Sequence, residues 1–142
     1  MRVAIVYDSS TGNTKAAARE MAEVIREAGH ECSVESVAAA DPAEVSAADA
    51  VCVGSWTKGL FVVGQRPTEA SLDFIDRLGP LEGKPAAVFA TYTLATGRTL
   101  KKMATPLERH GAEVTGRFKS KGPNAAAGFE TWVSSLGAAQ RS

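Results

Sequence analysis

The sequence predicts an α/β fold, a three-layer, doubly wound, five-stranded parallel sheet in the order 2-1-3-4-5. Three observations predict it. Short apolar runs alternate with amphipathic segments along the whole chain, as repeated β-α-β units do. The runs "RVAIVY", "DAVCVGS" and "KPAAVFATY" are apolar at nearly every position, which suits strands buried on both faces of a parallel sheet. Five strands in 142 residues fit that strand order. The length fits one domain, residues 1–142, that buries about two-thirds of its unfolded surface.

Each element has its own local reason. Residues 2–7 are β-branched and apolar, a buried strand. Residues 13–28 place Ala17, Met21, Val24, Ile25 and Ala28 at helical spacing, and Gly29 stops the helix. Residues 31–37, "ECSVESV", alternate as an edge strand does. Asp41 and Pro42 open a short helical turn over 41–45. Residues 49–55 form the next buried strand, and a long loop runs from Trp56 to Pro67. Thr68 caps a helix over 68–78, with Leu72, Phe74, Ile75 and Leu78 apolar. Residues 84–92 are the fourth strand. Residues 98–111 are helical, with Pro106 kinking the helix or opening a second one. Residues 112–120 are the last strand. A closing helix over 124–137 turns Phe129, Trp132, Val133 and Leu136 to the core.

The bulk numbers exclude several classes. Lys plus Arg and Asp plus Glu both number 16, so no net field draws nucleic acid or an acidic membrane. No apolar run approaches the ~20 residues of a membrane span. The N-terminal run is too short for a signal peptide. Cys32 and Cys52 lack metal-ligand and Cys-x-x-Cys spacing and read as buried free thiols; a disulfide would require adjacent strands. The protein is expected to be cytoplasmic and monomeric.

In this architecture ligands bind at the carboxyl ends of the strands, near the switch between strands 1 and 3. Three loops meet there. The first, "SSTGNT", offers hydroxyls from Ser9, Ser10, Thr11 and Thr14, the amide of Asn13, and a close backbone approach at Gly12. With the free N–H groups of the following helix, this is an anion site of neutral donors. A capped turn, with Thr11 or Asn13 as N-cap, is the plainer alternative, but six donors exceed what capping needs. A P-loop and a dinucleotide-binding glycine pattern are both absent. The loop has neither the Cys nor the Arg of a phosphatase, and Asp8 lacks the acidic neighbours of a phosphoryl receiver. The second loop carries Ser55, Trp56, Thr57, Lys58 and Gly59, then Phe61, Val62 and Val63. Trp56 can wall a flat aromatic ligand or fold back on the core. The third combines Thr91, Tyr92, Thr93, Leu94, Thr96 and Gly97; Tyr92 can cover a heterocycle or finish its strand inside the core.

A phosphate cradle beside two flat apolar walls suits a mononucleotide with a large planar ring, and flavin mononucleotide fits best. "SSTGNT" at 9–14 resembles the phosphate-loop signature of the flavodoxins, Ser/Thr-x-Thr-Gly-Asn-Thr, at every position. The resemblance covers the whole chain, whose length is similar to that of the short-chain flavodoxins. It implies a flavodoxin-like strand order. It also implies that Ser9 to Thr14 hold the FMN phosphate and that 55–59 and 91–97 bracket the isoalloxazine ring. By the same resemblance, the backbone near Gly59 or Gly97 turns to bond flavin N5 as the redox state changes. The second and third loops look more like flavodoxin domains of flavoprotein reductases, and the third lacks the family's usual Asp and paired aromatic.

Flavodoxins are usually acidic around the flavin, whereas this edge reads as basic. Lys58 and Arg66 lie in the second loop without an acid. Arg98, Lys101 and Lys102 follow the third, and Lys15 and Arg19 follow the first. Reduced flavin is an anion at neutral pH. One unit charge at ~7 Å, with an effective dielectric of ~20–40, is worth roughly 1–2 kcal/mol, or roughly 50–100 mV. A basic rim therefore predicts a less negative potential and an acidic partner. The resemblance implies electron transfer between redox partner proteins. The alternative is an FMN enzyme that reduces a quinone, or uses NAD(P)H, on its own account. A third reading keeps the fold as a scaffold without flavin.

Overall fold

The computed structural model describes residues 1–10, 12–60, 63–92, 96–120 and 128–141. In chain order its elements are β1 (Arg2–Asp8), α1 (Asn13–Glu27), β2 (Glu31–Ser36), α2 (Pro42–Ser46), β3 (Ala50–Trp56) and β4 (Lys58–Leu60). Then follow β5 (Val63–Arg66), α3 (Glu69–Asp76), β6 (Pro85–Thr91), α4 (Thr99–Arg109), β7 (Glu113–Ser120) and α5 (Phe129–Arg141). Five strands pair in parallel in the order β2-β1-β3-β6-β7. Without the small β4–β5 hairpin, that order is the expected 2-1-3-4-5.

The apolar runs become strands because both of their faces are covered. Val3, Ile5, Tyr7, Cys52, Ala87 and Phe89 pack against α1 and α5. Their alternate neighbours Ala4, Val6, Val51, Val53, Val88 and Ala90 pack against α3 and α4. The edge strand β2 alternates exposed and half-buried residues, as its sequence requires. On α1 the buried stripe is Thr14, Ala17, Ala18, Met21, Ala22 and Ile25. Val24 is half-buried, and Ala28, expected in the stripe, is the exposed C-cap. Gly29 ends the helix in a left-handed conformation, φ 93°.

Several boundaries move. The expected loop from Trp56 to Pro67 contains the antiparallel hairpin β4–β5. Gly64 and Gln65 both stand opposite Gly59, and Gly64 at φ 72° supplies the left-handed residue such a bulge uses. Pro106 lies inside one continuous helix. The predicted start of the last helix, 124–127, lies outside the described residues, as do Phe61 and Val62 of the second loop. The described helix α5 runs past 137 to Arg141, and its predicted core face is buried. Trp132 Nε1 donates to Thr115 Oγ1 at 2.8 Å, which satisfies the indole as it enters the core.

Cys32 pairs in register with Val3 and Cys52 with Ile5, so β1 separates the two thiols. Two strand spacings are about 9.5 Å, beyond disulfide reach. Both are free. Burial pushes the Cys32 thiol up to about 11, although Arg26 draws it down, and burial pushes Cys52 well above its usual value.

Candidate functional site

The carboxyl ends of β1, β3 and β6 lie side by side in register: Asp8 opposite Ser55, and Trp56 opposite Thr91. The three loops therefore leave the sheet at one edge. In the first, Gly12 is the N-cap of α1, at φ 96° and ψ −8°, and among the described residues no side chain caps the helix. Asn13 is a helical residue, so it is not the cap that a plain turn would need. Ser9 Oγ accepts from the Gly12 N–H at 3.1 Å, and the Ala16 N–H donates to the Gly12 carbonyl at 2.9 Å. The amides of Asn13, Thr14 and Lys15 stand in the first turn, where a helix has no carbonyl of its own to offer. Ser10, Gly12 and Asn13 are exposed, and a Cβ built on Gly12 would meet nothing within 4 Å. This is an open patch of neutral donors at the positive end of a helix.

Thr14 differs from Ser10, Gly12 and Asn13 in burial. Its side chain is buried, and Oγ1 lies 2.6 Å from Thr91 Oγ1. Thr91 also accepts from the Thr57 N–H on its carbonyl at 2.9 Å. One residue at the end of β6 therefore ties the first loop to the second. Tyr92 continues the chain with its N–H on the Ser120 carbonyl at 3.1 Å.

The hairpin is braced at its base. Ser55 is fully buried; its hydroxyl donates to the Trp56 carbonyl at 2.8 Å and accepts from the Thr68 N–H at 3.0 Å. Thr68 Oγ1 in turn accepts from the Ser71 N–H at 3.2 Å, capping α3. Ser55 thus uses its hydrogen bonds inside the protein, and Thr68, which the sequence marked only as a cap, closes the loop from the other side. Lys58 Nζ bonds Glu69 Oε2 at 2.8 Å. The second loop has no acid of its own, and the carboxylate that pairs with Lys58 arrives from α3 as Glu69. The Lys58 hydrogen bond holds the Glu69 carboxyl below its usual range.

Trp56 is half-buried and belongs to neither apolar cluster, so it has not folded back into the core. Tyr92 is also half-buried outside both, with Lys119 Nζ 6.0 Å from its ring centroid. Thr57 Oγ1 is buried with no hydrogen-bond partner. Gly59 lies within β4, and the Thr96 carbonyl accepts from the Thr99 N–H at 2.9 Å, starting α4. Thr11, Thr93 and Leu94 lie outside the described residues.

Gly97 joins the second and third loops. Its φ is 53°, and a Cβ there would lie 2.7 Å from Gln65 Cβ on the hairpin. Substitution with alanine must push β5 away from the third loop. Gly97→Ala is expected to weaken flavin binding several-fold, about 1 kcal/mol, and to cost about 1 kcal/mol or more in stability through the left-handed backbone and the clash. Fluorescence titration of FMN beside a urea melt checks it; unchanged affinity would show that the spacing of these loops does not matter.

The Flavodoxin family model matches residues 5–137. The chain belongs to the flavodoxin family. It is 30% identical over 146 residues to an NAD(P)H dehydrogenase (quinone) of Archaeoglobus fulgidus, covering 81% of this chain and 75% of that one. The solution structure of two-electron reduced Megasphaera elsdenii flavodoxin superposes with a TM-score of 0.73 at 27% identity, over 82% of this chain and 84% of that one. Rubredoxin oxygen:oxidoreductase from Desulfovibrio gigas shares the fold, with a TM-score of 0.79 at 23% identity, over 99% of this chain and 36% of that one. As in other flavodoxins, the cofactor is FMN, and the chemistry is electron transfer through that flavin. The residues present fit it: an uncapped helix start with open space at Gly12, and an orphaned threonine hydroxyl where the second loop begins.

Proposed function

We propose that this flavodoxin shuttles electrons between partner proteins in the cytoplasm. In this reading Ser9, Ser10, Thr11, Gly12, Asn13 and the first-turn amides of α1 hold the FMN phosphate. Trp56 to Gly59 and Tyr92 to Gly97 flank the ring. FMN supplies the redox chemistry, and the chain sets its surroundings. Thr14, Ser55 and Thr91 hold the loops in place, and the Thr57 hydroxyl is free to bond a polar edge of the ligand. The single observation that carries the reading is the α1 start, which rests on a left-handed glycine with no side-chain cap and leaves its donors for an anion. Free thiols and the lack of any described helix able to cross a membrane agree with a cytoplasmic setting.

Incubation of the pure protein with FMN, followed by desalting, is expected to give one flavin per chain with its visible absorption and quenched fluorescence. A colourless protein that cannot be loaded would sink the reading in favour of a scaffold. The Archaeoglobus relative favours a second reading, an FMN enzyme acting on a small substrate. Sustained oxidation of NAD(P)H with a quinone acceptor by the loaded protein alone would establish it over the carrier.

A further inference from the structure

Cations stand on more than one side of the binding edge: Lys15 and Arg19 are exposed on α1, and Arg66, exposed on β5, donates to the Gly64 carbonyl at 3.1 Å. Lys58 is paired with Glu69. The densest group lies on one side of the third loop: Arg98, Lys101 and Lys102 at the start of α4, and Lys119 near the end of β7, all exposed. The Arg117–Glu108 pair, at 3.4 Å, sets α4 against β7. Residues two apart on a strand share a face, so Lys119 follows Arg117 one step nearer the binding edge. Residues seven apart on a helix share a stripe, so Lys101 lies on the stripe of Glu108, two turns nearer the same edge. A crossover helix runs opposite to the parallel strands it joins, so both steps go the same way. Farther from the edge the helix and strand meet through an ion pair; at the edge they present two lysines.

No described carboxylate pairs with either lysine. Lys119 instead lies over the Tyr92 ring. Arg98 is the N-cap of α4, and the first turn has no acid. Cations are disfavoured at the positive end of a helix. The free protein therefore holds like charges together beside the third loop, and nearby negative charge relieves them.

We propose that Arg98, Lys101 and Lys119 form an off-centre docking face for the acidic surface of a partner protein, on the α4–β7 side of the flavin edge. This rests on the carrier reading above. A patch that spans a helix and a strand matches several carboxylates on a protein better than one small anion. Lysines suit it because their hydrated, mobile charges steer encounter without a fixed geometry.

Cytochrome b5, with its acidic face, serves as the probe at low ionic strength. Calorimetric titration and stopped-flow oxidation of the reduced protein are run on wild type, on K101E/K119E, and on R109E at the far end of α4. The double variant is expected to lose at least about tenfold in affinity and second-order rate, with an unchanged flavin spectrum and a flatter salt dependence. R109E is expected to stay within about twofold of wild type. Equal losses in both variants, or none, would overturn the docking face. So would wild type that binds NADPH but not cytochrome b5. A protein that takes up no FMN sinks the carrier reading, whereas calorimetry reads the patch with or without flavin.

Discussion

Gly54→Ala is expected to destabilise the protein by about 3 kcal/mol, lowering the thermal midpoint by about 10 °C. Gly54 sits in the middle of the sheet, opposite Tyr7 on β1 and Phe89 on β6. The Phe89 ring lies directly across it, so a Cβ at Gly54 would fall well inside contact distance of the ring's outer carbons. Phe89 is fully buried between the sheet and the α1/α5 layer and has no room to retreat. A close-packed interior transmits that clash as strain. The change also shifts the strand that delivers Ser55 and Trp56 to the binding edge, so FMN affinity is expected to fall with stability. Phe89→Leu, costly alone, is expected to recover part of the loss, giving a double mutant more stable than the sum of the singles predicts. Urea melts of the four proteins check this. A wild-type midpoint in Gly54→Ala would mean that the ring does not need the space the glycine leaves.

Nothing in the run "DAVCVGS" announces this clash, because the glycine's reason lies on another strand. The same distinction explains what was legible elsewhere. Strands β1, β3 and β6 could be read because burial on both faces leaves an unbroken apolar run. The helix stop at Gly29 and the caps at Asp41 and Thr68 are local chemistry: Asp41 Oδ1 accepts from the Ala43 N–H at 2.9 Å, and Thr68 Oγ1 from the Ser71 N–H. The donor-rich "SSTGNT" loop was legible because its excess of hydroxyls stands out before any fold is known. The hairpin was not, although an apolar run between Gly59 and Gly64 was an available signal. Its strands pair with each other, and they are too short and too interrupted to alternate clearly. The partner of Lys58 lies eleven residues away on α3, so counting charges within one loop missed it. The braces at Ser55–Thr68 and Thr14–Thr91 join residues 13 and 77 positions apart, and only the folded sheet brings them together.

The Thr14–Thr91 contact gives the sharper test of how fold and site are joined. Each hydroxyl is buried and has the other as its partner. Thr14→Val or Thr91→Val leaves one buried hydroxyl without a bond, at a cost of about 1–2 kcal/mol in stability. The valine side chains keep the shape, so the double replacement removes both polar groups at once and is expected to cost less than the two singles together, with a coupling of about 1 kcal/mol. Stability alone does not separate a core contact from a site brace; flavin affinity does. Thr14 anchors the helix start that offers its amides, and Thr91 also holds the Thr57 N–H. Loosening that junction lets the first two loops move apart, so each single is expected to bind FMN about tenfold more weakly. The double variant is expected to stay weak, because replacing the bond with methyl groups restores stability but not the fixed spacing of the loops. Affinity returning to wild type in the double variant, in step with stability, would show instead that the pair serves only the core.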